Sequence, residues 1–227
     1  MKLFLASLIF LSTAMAAPVD ELRAARDRQD RAALEKSIAR LAAEATRKPD
    51  NAQAQYVLAL AQSYLAEICL ELRLRNEARN AAVSGIQAAE KATSLKPDSA
   101  EYHRILGTLC GQVIPANVLA GLKYGKCAME SVNKALQLDA KSALAWLSKG
   151  VGNYYLPPSF GGGVDLAIKD MEKAISLDPK LSDAYVWLGT ALRKKNANAE
   201  ARKALEKALE LNPNRLWAKQ LLEKTPQ

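Results

Sequence analysis

The chain has 227 residues, a formal net charge of +8 and one histidine, which allows one sizeable domain or a stack of small repeated units. Its 32 Lys and Arg against 24 Asp and Glu are interspersed, as in Glu200-Ala201-Arg202-Lys203 and Glu206-Lys207. They read as solvated helix faces with no nucleic-acid fold signature, so nucleic acid is excluded as a partner. Aromatics are only 6% and no stretch alternates like a β-branched strand, so the fold class is all-α.

Lys2, the apolar run Leu3 to Leu11 and the small residues Ala14-Met15-Ala16 predict a cleaved signal peptide over residues 1–16. The run is well short of the ~20 apolar residues of a bilayer span. No cysteine follows the site for lipid attachment, and no later segment is apolar enough to be an integral membrane segment. The expectation is a periplasmic or secreted protein whose mature chain begins at Ala17.

Residues 17–48 are charged and Ala-rich, and read as an N-terminal cap made of one helix or a hairpin. Residues 49–97 form a first, divergent helix pair. It opens with Asp50-x2-Gln53 after Pro49 and carries an apolar stripe at 57, 60, 61, 64, 68 and 72. No Gly or Pro marks its turn, which falls between Leu70 and Asn80. The next pair, 98–140, opens with Asp98-x2-Glu101 after Pro97; both openings read as capping boxes. His103 to Ala128 is too long a gap for a plain helix–turn–helix, which predicts an enlarged turn around Val113-Ile114-Pro115-Ala116-Asn117. Within 141–179 a similar insertion falls in Leu156-Pro157-Pro158-Ser159-Phe160-Gly161-Gly162-Gly163, where prolines stop a helix and glycines allow a wide turn.

Residues 182–215 are a complete unit: Tyr185-x2-Leu188-Gly189-x2-Leu192, then Ala201, Leu205, Ala208 and Pro213. This is the spacing of a tetratricopeptide repeat, a helix–turn–helix unit of ~34 residues that buries its apolar face only by stacking on neighbours. The expected architecture is a right-handed superhelical stack of antiparallel helix pairs. Residues 216–227, with Leu216, Trp217, Leu221 and Leu222, supply the closing helix.

The block Pro157-Pro158-x-Phe160-Gly161-Gly162-Gly163, followed by Ala167, Met171, Ala174 and Pro179, resembles enlarged repeats in two groups. One is the eukaryotic regulator-of-microtubule-dynamics proteins with their bacterial relatives; the other is the T component associated with some TRAP-type transporters. The resemblance covers residues 98–215 and implies a superhelical repeat fold with a binding, non-catalytic role. An export signal departs from a cytosolic microtubule role, and the missing lipid-attachment cysteine departs from the T component.

Catalytic chemistry finds no foothold. His103 is the only histidine and sits where repeats pack a large side chain, and Gly161-Gly162-Gly163 lacks the Lys-Ser/Thr of a phosphate loop. No enzyme motif, cofactor site or metal-ligand spacing is present. Cys110 and Cys127 would face each other across one helix pair, which makes a disulfide possible in an oxidising compartment. Packing of all three cysteines as small buried residues is the slightly favoured alternative.

Repeats turn their first helices towards the concave side, which puts Tyr56, Leu60, Tyr64, Arg104, Thr108, Tyr154, Tyr155, Thr190, Arg193 and Lys194 there. Tyr and Arg are common binding anchors. Stacked insertions on one edge mark a binding side, with Pro157, Pro158, Phe160 and Gly161 as a lid over it. The expected role is an exported scaffold gripping a protein or peptide in its groove. The alternative is a carrier of a small apolar ligand, or a transporter-associated component, with a pocket under the enlarged turns.

Overall fold

The computed structural model describes residues 18–116 and 118–227; the expected signal peptide, Ala17 and Asn117 lie outside them. The first helix, α1, is described over 18–27. It is followed by α2 (Arg31–Arg47), α3 (Ala52–Glu71), α4 (Arg75–Leu95), α5 (Ala100–Val113) and α6 (Val118–Leu138). Then come α7 (Ala143–Tyr155), α8 (Val164–Leu177), α9 (Ser182–Lys194), α10 (Asn198–Leu211) and α11 (Leu216–Glu223). The architecture is all-α, with helices packed pairwise from α3–α4 to α9–α10. Among the described residues no helix is long and apolar enough to cross a membrane.

Small residues set the packing. Ala167, Met171 and Ala174 of α8 and Ala201, Leu205 and Ala208 of α10 have no exposed surface. Gly189 of α9 permits a close approach: a Cβ there would stand 2.7 Å from Leu205 Cγ and 3.1 Å from the Ala201 carbonyl oxygen. The pattern Gly189…Ala201…Leu205…Ala208 is therefore a steric record of one helix lying on another. α11 packs on the last pair, with Ala218 and Leu221 joining Val186, Leu205 and Ala208.

Some expectations are corrected and others are made specific. The helix caps lie one residue later than the sequence suggested: Asn51 accepts from Ala54 N at 3.0 Å and Ser99 from Tyr102 N at 3.4 Å, in place of Asp50 and Asp98. Residues 17–48 contain a hairpin, α1 and α2, reversed at Gln29, which takes a positive φ of 54°. The featureless turn of the first pair is Leu72-Arg73-Leu74, where Arg73 occupies the left-handed region at φ 62° that glycine would usually take.

The insertion near Val113–Asn117 is mostly helix. α6 has 21 residues against 14 in α8 and in α10, so it exceeds those two helices by roughly two turns, about 10 Å, an overhang whose Ala120 and Tyr124 still pack against the core. Gly121 and Gly125 do not stop it, because the sequence around them is Leu, Ala and Lys, all good helix formers. The first pair is also lengthened within its helices, α3 having 20 residues and α4 21. Only 156–163 is a true enlarged turn, with Gly161 at φ 82° and Gly163 at φ 118°.

Cys110 and Cys127 form a disulfide between α5 and α6, with Cα atoms 6.0 Å apart. The packing alternative therefore holds for Cys69 alone, which is buried and free. Contact between Cys110 and Cys127 follows from the antiparallel pairing itself, which brings their positions level.

Candidate functional site

The first helices of the pairs, α3, α5, α7 and α9, lie side by side and carry three groups of interacting side chains. At the first, α3 and α5 exchange a polar ladder. Tyr56 stacks on Tyr102 with ring centroids 4.9 Å apart and donates its hydroxyl to Glu101 Oε1 at 2.9 Å. Arg104 grips the same carboxylate with two hydrogen bonds, both 2.6 Å. Arg104 also reaches Ser148 Oγ on α7 at 3.4 Å, and Thr108 Oγ1 lies 3.1 Å from that oxygen. Arg104 is only 8% exposed, so it is a structural tie between helices rather than a free anchor.

The second part joins the two ends of the chain. Arg26 of α1 donates to Asp183 Oδ2 of α9 at 2.8 Å and pairs with Asp27 at 2.7 Å. Arg215, fully buried just ahead of α11, donates to Glu67 at 2.6 Å and Glu71 at 2.5 Å, both on α3, and to Asp183 at 3.3 Å. Asn212 donates to Asp27 Oδ2 at 2.8 Å, and Gln29 to Glu71 Oε2 at 2.8 Å. Two guanidinium groups thus face four carboxylates away from water. Burial pushes the Glu67 carboxyl up to about 7, against the pull of Arg26 and Arg215. Burial also penalises Asp183, but Arg26 and Arg215 outweigh it and hold its carboxyl down at about 2.

The same bridge covers part of the expected binding face. The Arg26 guanidinium lies 5.1 Å from the centre of the Tyr64 ring, and Val19 and Leu22 of α1 pack in the clusters that contain Tyr56 and Tyr64. Tyr56 and Tyr64 are therefore half-buried beneath the chain's own first helix. Burial raises the Tyr64 hydroxyl above its ordinary value, with Arg26 opposing.

The third part is aromatic. Tyr154 meets Tyr155 edge-on at 5.0 Å, and both approach Trp187 of α9, at 5.9 and 6.1 Å. Trp187 in turn meets Trp217 of α11 at 5.1 Å. Lys194 Nζ sits 4.4 Å from the Tyr154 ring centre and donates to the Tyr154 carbonyl oxygen at 3.2 Å. Tyr155 remains 49% exposed.

Two sequence candidates have their polar groups engaged within the chain. The Thr190 hydroxyl donates to Val186 O at 2.8 Å within its own helix, and Arg193 donates to Lys224 O at 3.2 Å, tying α9 to the end of α11. The turn of Pro157, Pro158, Phe160 and Gly161 is held by hydrogen bonds from Gly161 N to Pro158 O and Gly162 N to Pro157 O. Phe160 projects from it, 74% exposed. His103 places Nε2 2.9 Å from Pro97 O, a tie at the start of its own helix. Sequence reasoning missed Trp187, Arg26, Glu67, Glu71, Asp183 and Arg215, and placed Trp217 in the closing helix without bringing it to this site. Trp187 and Trp217 carried a local signal, being aromatics beside consensus repeat positions; the charged set carried none.

Comparison with known proteins fits this architecture. The tetratricopeptide repeat family profile matches residues 182–215. The chain is distantly related to regulator of microtubule dynamics protein 3. It is 28% identical to the Bos taurus protein over 172 residues, covering 68% of this chain and 36% of that protein. The Rattus norvegicus protein is 29% identical over 174 residues, covering 69% and 36%. The chain thus spans about a third of the length of the curated relatives it matches. Among solved structures it is similar to a thermophilic TPR protein of Thermus thermophilus, with a TM-score of 0.63 at 17% identity, covering 86% of this chain and 91% of that one. It is also similar to the HusA haemophore from Porphyromonas gingivalis, with a TM-score of 0.62 at 20% identity, covering 81% and 93%.

Proposed function

We propose that this tetratricopeptide-repeat protein is an exported, non-catalytic scaffold that takes a protein or peptide segment on its concave face. One observation carries the reading: Tyr154, Tyr155 and Trp187 converge with Lys194 at the part of that face α1 leaves open, and Tyr155 stays half-exposed. Aromatic side chains backed by a packed aromatic layer lose little conformational entropy on binding, which suits them as anchors. The leader signature of residues 1–16 supports export.

The carrier alternative gains some support from the haemophore with the same fold. A pocket beneath the enlarged turn is disfavoured by the packing there. A Cβ at Gly162 would stand 2.3 Å from the Leu156 carbonyl oxygen, so the turn lies directly on the end of α7.

The test is affinity capture from an envelope extract with the full chain, followed by titration of the captured partner against Tyr155→Ala combined with Lys194→Ala. The double variant should bind roughly 30-fold or more weaker, the loss of about two anchors, with unchanged circular dichroism. Full affinity in that variant refutes the concave site. Export is checked by the intact mass of the envelope-purified protein, which should begin at Ala17 without a lipid adduct.

A further inference from the structure

Neighbouring helix pairs stack in parallel, so their turns collect along one edge. The contact of Thr108 with Ser148 puts the end of α5 level with the end of α7. Lys195 Nζ, 2.5 Å from Asp165 Oδ1, and Lys194 Nζ on Tyr154 O bring the α9–α10 turn against the α7–α8 turn. Along this edge large apolar side chains face solvent. Leu122 on the overhang of α6 is 85% exposed, Phe160 at the tip of the enlarged turn 74%, and Leu166 at the start of α8 43%.

A single exposed leucine needs no explanation, but several on one edge do. Their surroundings are mostly cationic. Lys123 and Lys126 follow Leu122 on the same helix, and residues 114–129 contain no Asp or Glu. Glu130 lies 3.8 Å from Lys126 Nζ, an exposed pair that neutralises little of its charge. Asp165, the acidic group nearest the turn, is already paired with Lys195. Gly121 and Gly125 leave open space beside the helix, since a Cβ at Gly125 would meet nothing within 4 Å and one at Gly121 only Ile114 at 3.8 Å. The disulfide Cys110–Cys127 pins α6 to α5 at the root of the overhang, and Ala120 and Tyr124 pack its first turns against the core, which holds them in position.

We propose that this edge docks on an anionic lipid bilayer. Leu122 and Phe160 enter the headgroup–acyl boundary, and Lys123 and Lys126 extend their apolar stems with them and place their ammonium groups at the phosphates. Charge complementarity selects this occupant over a second copy of the chain. A self-complementary contact would lay the same lysines against one another, whereas an anionic membrane neutralises them.

The test is co-sedimentation of the full chain with vesicles of phosphatidylcholine alone or with about one-fifth phosphatidylglycerol. Anionic vesicles should bind about tenfold better, and the preference should fall as salt screens it. Leu122→Asp with Phe160→Asp should cut anionic-vesicle binding about tenfold, since both apolar insertions are lost. Lys123→Glu with Lys126→Glu, which disturbs no buried group, should abolish the anionic preference and decides the matter if the first variant folds poorly. The apolar leader of the full chain would bind vesicles regardless of these four side chains, so the differences between variants isolate the edge. Equal binding to both vesicle types overturns the proposal, as does binding indifferent to all four substitutions. So does a dimer in vesicle-free protein that the Leu122/Phe160 variant dissociates, because the edge would then be a self-association face.

Discussion

Arg26 and Asp183 stand 157 positions apart in the chain and are joined by a hydrogen bond of 2.8 Å. Through them the N-terminal hairpin is fastened to the last repeat, and Arg215 fastens the last repeat to α3. A buried set of this kind adds little stability compared with apolar residues of the same volume, yet removing one member is costly, because the remaining charges stay buried without compensation.

Arg215→Ala should therefore destabilise the protein by about 3–5 kcal/mol, since Glu67, Glu71 and Asp183 lose their shared cation. Chemical denaturation measures the loss. Hydrogen exchange should show protection falling first in α1, which depends on the same set. A midpoint equal to the parent would mean that the bridge contributes nothing to closure.

The bridge also makes stability depend on pH. Glu67 binds its proton more tightly folded than unfolded, with a carboxyl at about 7 against an ordinary 4.5. Stability from this group is fully present below the unfolded value and declines as pH rises from about 4.5 through 7, by an amount on the order of 2 kcal/mol. Asp183 acts oppositely: its contribution is present above 3.8 and is lost as pH falls towards 2. Denaturation midpoints between pH 5 and pH 8 should fall in the parent and flatten in Glu67→Gln. A parent curve that rises over that interval would contradict the assignment.

Reducing Cys110–Cys127 opens a loop of 17 residues and should cost about 3 kcal/mol. The change should appear as a lower thermal midpoint in reductant and as faster hydrogen exchange in the overhanging turns of α6. Cys69→Ala should leave the response to reductant intact, because Cys69 takes no part in the bridge.

The helix pairs were legible in the sequence because each rests on short-range spacing: Gly189 with Ala201 and Leu205, or Ala167 with Met171 and Ala174. The overhang of α6 was not, because an excess between consensus positions does not say whether turn or helix absorbs it. The reversal at Arg73 was hidden because an arginine adopts the conformation usually flagged by glycine. That Tyr154, Tyr155 and Lys194 meet was legible because the register of a first helix predicts which of its positions share a face. Arg26, Glu67, Glu71, Asp183 and Arg215 meet only through the path of the whole superhelix, which no local pattern encodes.

A stack of repeats ordinarily behaves as a one-dimensional chain of nearest-neighbour couplings, free to fray from either terminus. The bond from Arg26 to Asp183 gives that chain a coupling between its first and last members. Fraying at one terminus then breaks two interfaces instead of one, and partly unfolded arrays with a single melted end lose their advantage. The molecule should consequently unfold in one concerted transition, with coincident fluorescence and circular dichroism curves, where an open array of the same repeats would melt in steps.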